Sequence, residues 1–368
     1  MIPLSTPDLR GREREYLRRC VDDNWVSSVG PFVSELERRV ADMSQVPFAV
    51  ATANGTIALQ LVLRAADIGE GDAVIVPDWA FAATVNATVH AGANPIFADI
   101  SETNLTIDPL RVEEAFAATG MPIRAVIAVH TLGRAPDLVA LSKLCRTHGA
   151  LLIEDAAGAF GAVVHNRAAG VYGDAGIFSF NGNKIVTAGG GGMVVTNNES
   201  IARRARHLSQ QARAGEDYVY DDIGFNFRMT NVNAAIGLAQ LERFDEMKAR
   251  RLEIERRYDA SLFPSDLLLP LPRAPWDQPY CWLYSVRCKD AASAKFLVTT
   301  LRKDGIEARP FWNALSRQSP YCGFARFGGE VAAAVSGTIV SLPCSSHLTD
   351  AEQDRVIAAV ERWECASV

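Results

Sequence analysis

Short apolar runs alternate with amphipathic stretches over the first 250 residues of the chain. Ala49-Val50-Ala51-Thr52, Ala73-Val74-Ile75-Val76, Asn94-Pro95-Ile96-Phe97-Ala98, Ala125-Val126-Ile127-Ala128-Val129 and Ala150-Leu151-Leu152-Ile153 predict strands. They are apolar at consecutive positions, so both faces of each strand are expected to be covered. Between them lie helical patterns such as Thr56–Ala66 and Asp137–Thr147. This alternation predicts an α/β fold with a mostly parallel sheet under helices, and ligands gather at the carboxyl ends of such strands. A long helical pattern then runs from Asn231 to about Leu262, followed by Pro264, Pro270, Pro272, Pro275 and Pro279. Prolines at that density suit a connector. Beyond it, Cys281–Arg287 and Ile306–Arg309 read as strands, and Ala291–Asp304 and Thr349–Trp363 as helices. The expected division is a large domain over residues 1–250 and a smaller α/β domain over residues 251–368.

Composition narrows the class. At 368 residues the chain has room for two domains with substantial cores. A net charge of -6 speaks against nucleic acid or an anionic membrane as partner, since both ask for a basic surface. Arg203-Arg204 and Arg250-Arg251 fall in helical patterns and read as solvated faces. The seven cysteines are odd in number and include no CxxC pair, so neither a disulfide framework nor a metal site is expected, and a cytoplasmic location fits. Met1-Ile2-Pro3-Leu4-Ser5 does not open a signal peptide, and no apolar run approaches the roughly 20 residues of a membrane helix.

Candidate chemistry centres on Phe178-Ser179-Phe180-Asn181-Gly182-Asn183-Lys184-Ile185-Val186-Thr187, which runs through Ala188 into glycines 189–192. Lys184 is the only lysine between Lys143 and Lys248. A buried amine is neutral at lower pH than a free one, and a neutral amine attacks aldehydes. Lys184 is thus either a Schiff-base lysine for pyridoxal phosphate or a surface lysine beside a glycine hinge. Asp155, at the end of a predicted strand, is either a partner for a pyridinium nitrogen or a helix cap. Asn54-Gly55-Thr56 opens a predicted helix, whose free N–H groups suit a phosphate, and Ser179 could add a hydroxyl. Phe81, or its rival Trp79, could stack on a planar ring, although an aromatic at such a position is more often plain core. No GxxxxGK[ST] or GxGxxG supports a nucleotide P-loop or a dinucleotide fold.

The order of these features resembles the DegT/DnrJ/EryC1/StrS family of pyridoxal-phosphate sugar aminotransferases. The resemblance begins at Ile2-Pro3-Leu4-Ser5-Thr6-Pro7 and Trp25-Val26-Ser27-Ser28-Val29-Gly30-Pro31. It continues through Asn54-Gly55-Thr56, Glu154-Asp155-Ala156-Ala157, Gly173-Asp174 and Ser179–Gly192. It then takes in Gly224-Phe225-Asn226-Phe227-Arg228-Met229-Thr230, Ala234-Ala235-Ile236-Gly237, Gln240-Leu241, Gly305-Ile306, Arg309-Pro310 and Leu342-Pro343. The resemblance implies an aspartate-aminotransferase-type α/β fold (fold type I), with a large mixed-sheet domain and a smaller C-terminal α/β domain. It implies a homodimer with composite active sites, and L-glutamate as donor. Lys184 becomes the linking lysine and proton carrier, Asp155 the partner of the pyridine nitrogen, and Phe81 the stacking residue. Gly55, Thr56 and Ser179 hold the phosphate, and Asn226 reaches the phosphate of the neighbouring subunit's cofactor.

Two departures stand out. Gly158 occupies a position where the family often has Gln, Glu or His beside the cofactor's phenolic oxygen, and Ser316 falls where it usually has a histidine. The Asn181–Lys184 run and the Arg309–Trp312 segment look most like members that aminate UDP-linked 2-acetamido-4-keto-6-deoxy sugars. The Trp25–Gly30 segment is shared with GDP-perosamine synthases, which makes GDP-4-keto-6-deoxymannose the alternative substrate. A non-transaminating dehydratase and a regulatory protein on the same fold are further alternatives. The dehydratases carry histidine in place of the lysine, so Lys184 favours transamination.

Overall fold

The computed structural model describes every residue except Glu216, Pro264, Pro279 and Val368. Two of the connector prolines therefore lie outside the described residues. The first part of the chain contributes β1 (Phe48–Thr52), β2 (Ala73–Pro77), β3 (Asn94–Ala98), β4 (Ile123–Val129), β5 (Leu151–Asp155), β6 (Ala175–Ser179) and β7 (Gly192–Thr196). The later part adds β8 (Leu268–Pro270), β9 (Ser285–Cys288), β10 (Arg309–Phe311), β11 (Arg326–Phe327) and β12 (Ile339–Ser341). The main sheet has eight strands in the order β1-β7-β6-β5-β4-β2-β3-β11. β7 runs antiparallel to both neighbours, and the other pairings are parallel. A four-stranded sheet, β8-β9-β12-β10, is built from the later part alone.

The consecutive apolar positions have the expected cause. Along β2, Ala73 and Ile75 enter one core while Val74 and Val76 enter another on the opposite face. β4 divides in the same way, Val126 and Ala128 against Ala125, Ile127 and Val129. Each fully buried valine or isoleucine contributes about 1.5–3 kcal/mol. Helix starts follow local chemistry: Asn54, Asp137, Asn198 and Thr230 each accept an N–H from the first turn they precede.

Three expected elements differ. The pattern from Asn231 to Leu262 is two helices, Asn231–Leu241 and Phe244–Leu262. No Gly or Pro marks the break. Tertiary bonds hold it: Gln240 Nε2 donates to the Asp8 carbonyl at 2.8 Å, and Arg243 Nη1 to Asp8 Oδ1 at 3.1 Å. The strand expected at Cys281–Arg287 is confined to β9. Upstream of it the Trp282 carbonyl accepts from buried Arg251 and the Tyr284 N–H donates to the Cys344 sulfur, so these groups are not free for a strand ladder. The strand expected at Ile306–Arg309 shifts to β10, because Ile306 pairs with Ile2 at the other end of the chain. All seven cysteines are unpaired, and among the described residues no helix is long and apolar enough to cross a membrane.

Candidate active site

The carboxyl ends of β1, β5 and β6 point to the same edge of the sheet, and a cavity of about 540 Å³ opens there. Gly55, Thr56, Phe81, Asp155, Ser179 and Lys184 all line it. Six of the seven residues singled out in the sequence are therefore brought together. Asn226 is exposed, is not among the residues lining the cavity, and forms an isolated bridge with Gln210.

Asp155 ends β5 and is buried. Its Oδ2 accepts the Thr84 hydroxyl at 2.7 Å and its Oδ1 the Ala157 N–H at 3.2 Å. The second bond closes a turn and caps no helix, which separates the two readings of this residue. Beneath it, Glu154 accepts the N–H groups of Gly170, Tyr172 and Gly173 at 2.9, 2.6 and 2.8 Å. It also meets His130 Nε2 at 2.8 Å. His130 lines the cavity, and its Nδ1 is buried without a partner among the described residues.

In the same cavity, Gly55 and Thr56 open the helix Gly55–Ala65, capped by Asn54. Their N–H groups have no place in the helix's own ladder. A Cβ on Gly55 would lie 3.0 Å from Ser179 Cβ, so glycine leaves this cradle open beside the serine hydroxyl. The glycine run works in the same place. A Cβ on Gly192 would lie 2.5 Å from the backbone of Asn54, so β7 can run tight behind the turn only as glycine.

Lys184 sits on a loop closed at its base by Phe180 N–H to Gly191 O and Ala188 N–H to Phe180 O, both 2.8 Å. Its amine lies 3.5 Å from the centre of the Trp282 ring. Burial pulls the amine from 10.5 down to about 7, with Asp155 pulling the other way. An amine lowered this far is partly neutral near pH 7, which favours the cofactor-linking reading over that of a surface lysine. Phe81 is 62% exposed at the cavity wall, whereas Trp79 is fully buried and donates its Nε1 to the Trp312 carbonyl at 2.9 Å. Ser316 lies away from the cavity. Its N–H and hydroxyl bind Asp78 at 2.7 and 2.8 Å, tying the later part of the chain to the end of β2.

Sequence reasoning missed Thr84, His130 and Trp282, which bear on this site, and took Trp312 only as part of a segment resembling relatives that aminate UDP-linked sugars. His130 directly follows a predicted strand and Trp282 falls inside one, but neither position carried a signal for the site, and Thr84 stands in no motif. The residues present fit pyridoxal phosphate. A helix N-terminus and a hydroxyl suit its phosphate, an oriented carboxyl suits its ring nitrogen, and a neutralisable amine suits its aldehyde. The volume is within the usual range for such ligands.

The sequence matches the DegT/DnrJ/EryC1/StrS aminotransferase family over residues 7–361. The chain belongs to this family. It is 37% identical to the GDP-perosamine synthase of Caulobacter vibrioides, covering 98% of each chain. It is 39% identical to the GDP-perosamine synthase of Vibrio cholerae, covering 85% of each. The structure of the aminotransferase TlmJ from Streptoalloteichus hindustanus superposes with a TM-score of 0.92 at 30% identity, covering the whole of both chains. The family member described here is a transaminase of the expected α/β fold, and its cofactor is pyridoxal 5'-phosphate.

Proposed function

We propose that this aminotransferase moves an amino group from L-glutamate to the C4 keto group of a nucleotide-linked 4-keto-6-deoxy sugar, with GDP-4-keto-6-deoxymannose as the first candidate. The observation that carries the chemistry is the Lys184 amine, lowered to about 7, in one cavity with Asp155 and the Asn54-Gly55-Thr56 turn. The choice of sugar rests on the two GDP-perosamine synthases that match over most of the chain. The UDP-linked acetamido sugar, ranked first from the sequence, moves to second place.

In this reading each residue has one task. Lys184 Nζ is divided between its charged and neutral forms near neutral pH, which suits an atom that must both take and return a proton. Asp155, oriented by Thr84 and Ala157, would pair with the pyridine nitrogen. Pyridoxal phosphate, when bound, would supply the electron sink for the transfer. Gly55, Thr56 and Ser179 would hold its phosphate, and Phe81 would stack on the ring, covering the exposed face of that side chain. Arg309, at the wall of the cavity and anchored to Glu307 Oε1 at 2.7 and 3.0 Å, offers a cation for the donor carboxylate or the substrate diphosphate. Asn226 serves a second copy of the chain. The segments 25–29 and 218–223 expose Trp25, Val26, Val29, Tyr218, Val219, Tyr220 and Ile223, an apolar surface suited to such a dimer.

The test is mass spectrometry of products from GDP-, UDP- and dTDP-linked 4-keto-6-deoxy sugars with glutamate. Amination of the GDP sugar in preference to the others is expected. Preference for the UDP-acetamido sugar would reverse the ranking. A purified protein that never takes up pyridoxal phosphate, shown by absence of borohydride fixation on Lys184, would overturn the whole reading.

A further inference from the structure

Gly158 has no backbone reason to be glycine, because its φ is not positive. It has a packing reason. A Cβ there would lie 2.3 Å from Cε3 and 2.7 Å from Cζ3 of Trp282. The indole therefore occupies the space that a side chain at position 158 would take. Its placement is held from two sides. Nε1 donates to the Asn183 carbonyl at 3.1 Å, directly beside Lys184 in the chain. The Trp282 carbonyl accepts from buried Arg251 and from the Cys344 thiol at 3.6 Å. The face of the ring meets the Lys184 amine 3.5 Å from its centre.

We infer that Trp282 is a positioning residue for Lys184, that its indole face holds the amine whenever the amine is unlinked from the cofactor, and that Gly158 is present to admit that indole. The inference rests on the linking role proposed for Lys184. A lysine that leaves its cofactor during each turnover needs a resting place within reach of the reacting atoms. An aromatic face attracts the charged amine without a hydrogen bond that would have to be broken on return. It also favours the charged form against burial, and so supports the proton-carrying state. Asp155, at the end of β5, favours that form as well, while His130, after β4, and Arg309, in β10, line the same cavity. The space beside Gly158 is then filled by carbon and not by a hydrogen-bonding side chain.

The experiment measures Lys184 itself. In the full-length chain freed of cofactor, a small acylating reagent is applied across pH and labelling is read by mass spectrometry. Lys184 is the only lysine between Lys143 and Lys248, so its peptide is unambiguous. Trp282 is replaced site-specifically by tryptophans of increasing fluorination, which keep their shape but weaken the ring's attraction for cations. The labelling midpoint is expected to fall stepwise, by about one pH unit for the most fluorinated ring. In Gly158→Ala, where the indole must move, fluorination is expected to lose this effect. Superimposable midpoints across the fluorinated series would overturn the role of Trp282. Fluorine sensitivity that persists in Gly158→Ala would overturn the role of Gly158. Borohydride fixation of pyridoxal phosphate to Lys184 in the unmodified chain tests the earlier reading separately, since it does not depend on where the free amine rests.

Discussion

At the scale of single residues, Lys184 carries an electrostatic cost that the fold tolerates. Its folded value, about 7, lies below its ordinary 10.5. Below about pH 7 both folded and unfolded chains hold the proton, and folding must bury the charge. From about pH 7 to 10.5 the unfolded chain holds the proton that the folded one has lost, so stability from this group rises with pH across that window. The cofactor-free chain is therefore expected to be less stable than Lys184→Met at pH 6, with the gap closing towards pH 10. Thermal unfolding of both proteins across that range checks the sign, and a gap constant with pH would mean that the amine stays hydrated in solution. Thr84 makes a second case. Thr84→Val keeps the shape of the side chain but leaves Asp155 Oδ2 without its donor. A loss of about 1–2 kcal/mol follows, or roughly tenfold weaker cofactor binding in an absorbance titration. Thr84 was not legible in the sequence because it stands 71 positions from Asp155, on a helix without any motif of its own. Asp155 was legible because it ends an apolar strand, where ligands gather, and Lys184 because it is the only lysine between Lys143 and Lys248 and leads into the glycine run.

At the scale of elements, legibility followed the range of the forces that set each boundary. β1 to β5 were readable because consecutive buried positions leave a mark on the sequence, and caps such as Asn54 and Asp137 act within three residues. The break at Glu242-Arg243 was not readable, since it is fixed by Asp8 more than two hundred positions away. The glycine run falls between these cases. Its density was visible, but its reason lies in the distance from Gly192 to the Asn54 backbone. Gly192→Ala would force a methyl to within 2.5 Å of main-chain atoms that have no rotamer to change. We expect a loss of about 1–3 kcal/mol and weaker cofactor binding, because the displaced turn is the one proposed for the phosphate. Gly182→Ala, on the loop that leads into β7, is the control. A Cβ there meets nothing within 4 Å, and the denaturant midpoint is expected to stay unchanged. Equal effects of the two substitutions would show that the clearance at Gly192 does not govern the turn.

At the scale of the whole molecule, the chain's ends are stitched across the sequence halves. Ile2 pairs with Ile306, the Leu4 N–H donates to Glu307 Oε2 at 3.0 Å, and β11 returns from the later part to the edge of the main sheet beside β3. The cavity depends on the same crossing, since Trp282, Arg309 and Trp312 reach it from beyond the proline-rich connector. Within one chain every proposed site residue but Asn226 is gathered. If Asn226 acts on a second copy, each dimer holds two sites, and each site needs Lys184 from one chain and Asn226 from the other. Lys184→Ala and Asn226→Ala should then each be strongly impaired alone. Mixed, unfolded and refolded together at equal amounts, they should form heterodimers in about half of the pairings, each with one site carrying both defects and one carrying neither. Recovered activity is expected at about a quarter of the unmodified level. Activity no greater than the sum of the separate variants would place Asn226 in its own chain's site or outside the chemistry altogether. A fully active Asn226→Ala would remove it from the site.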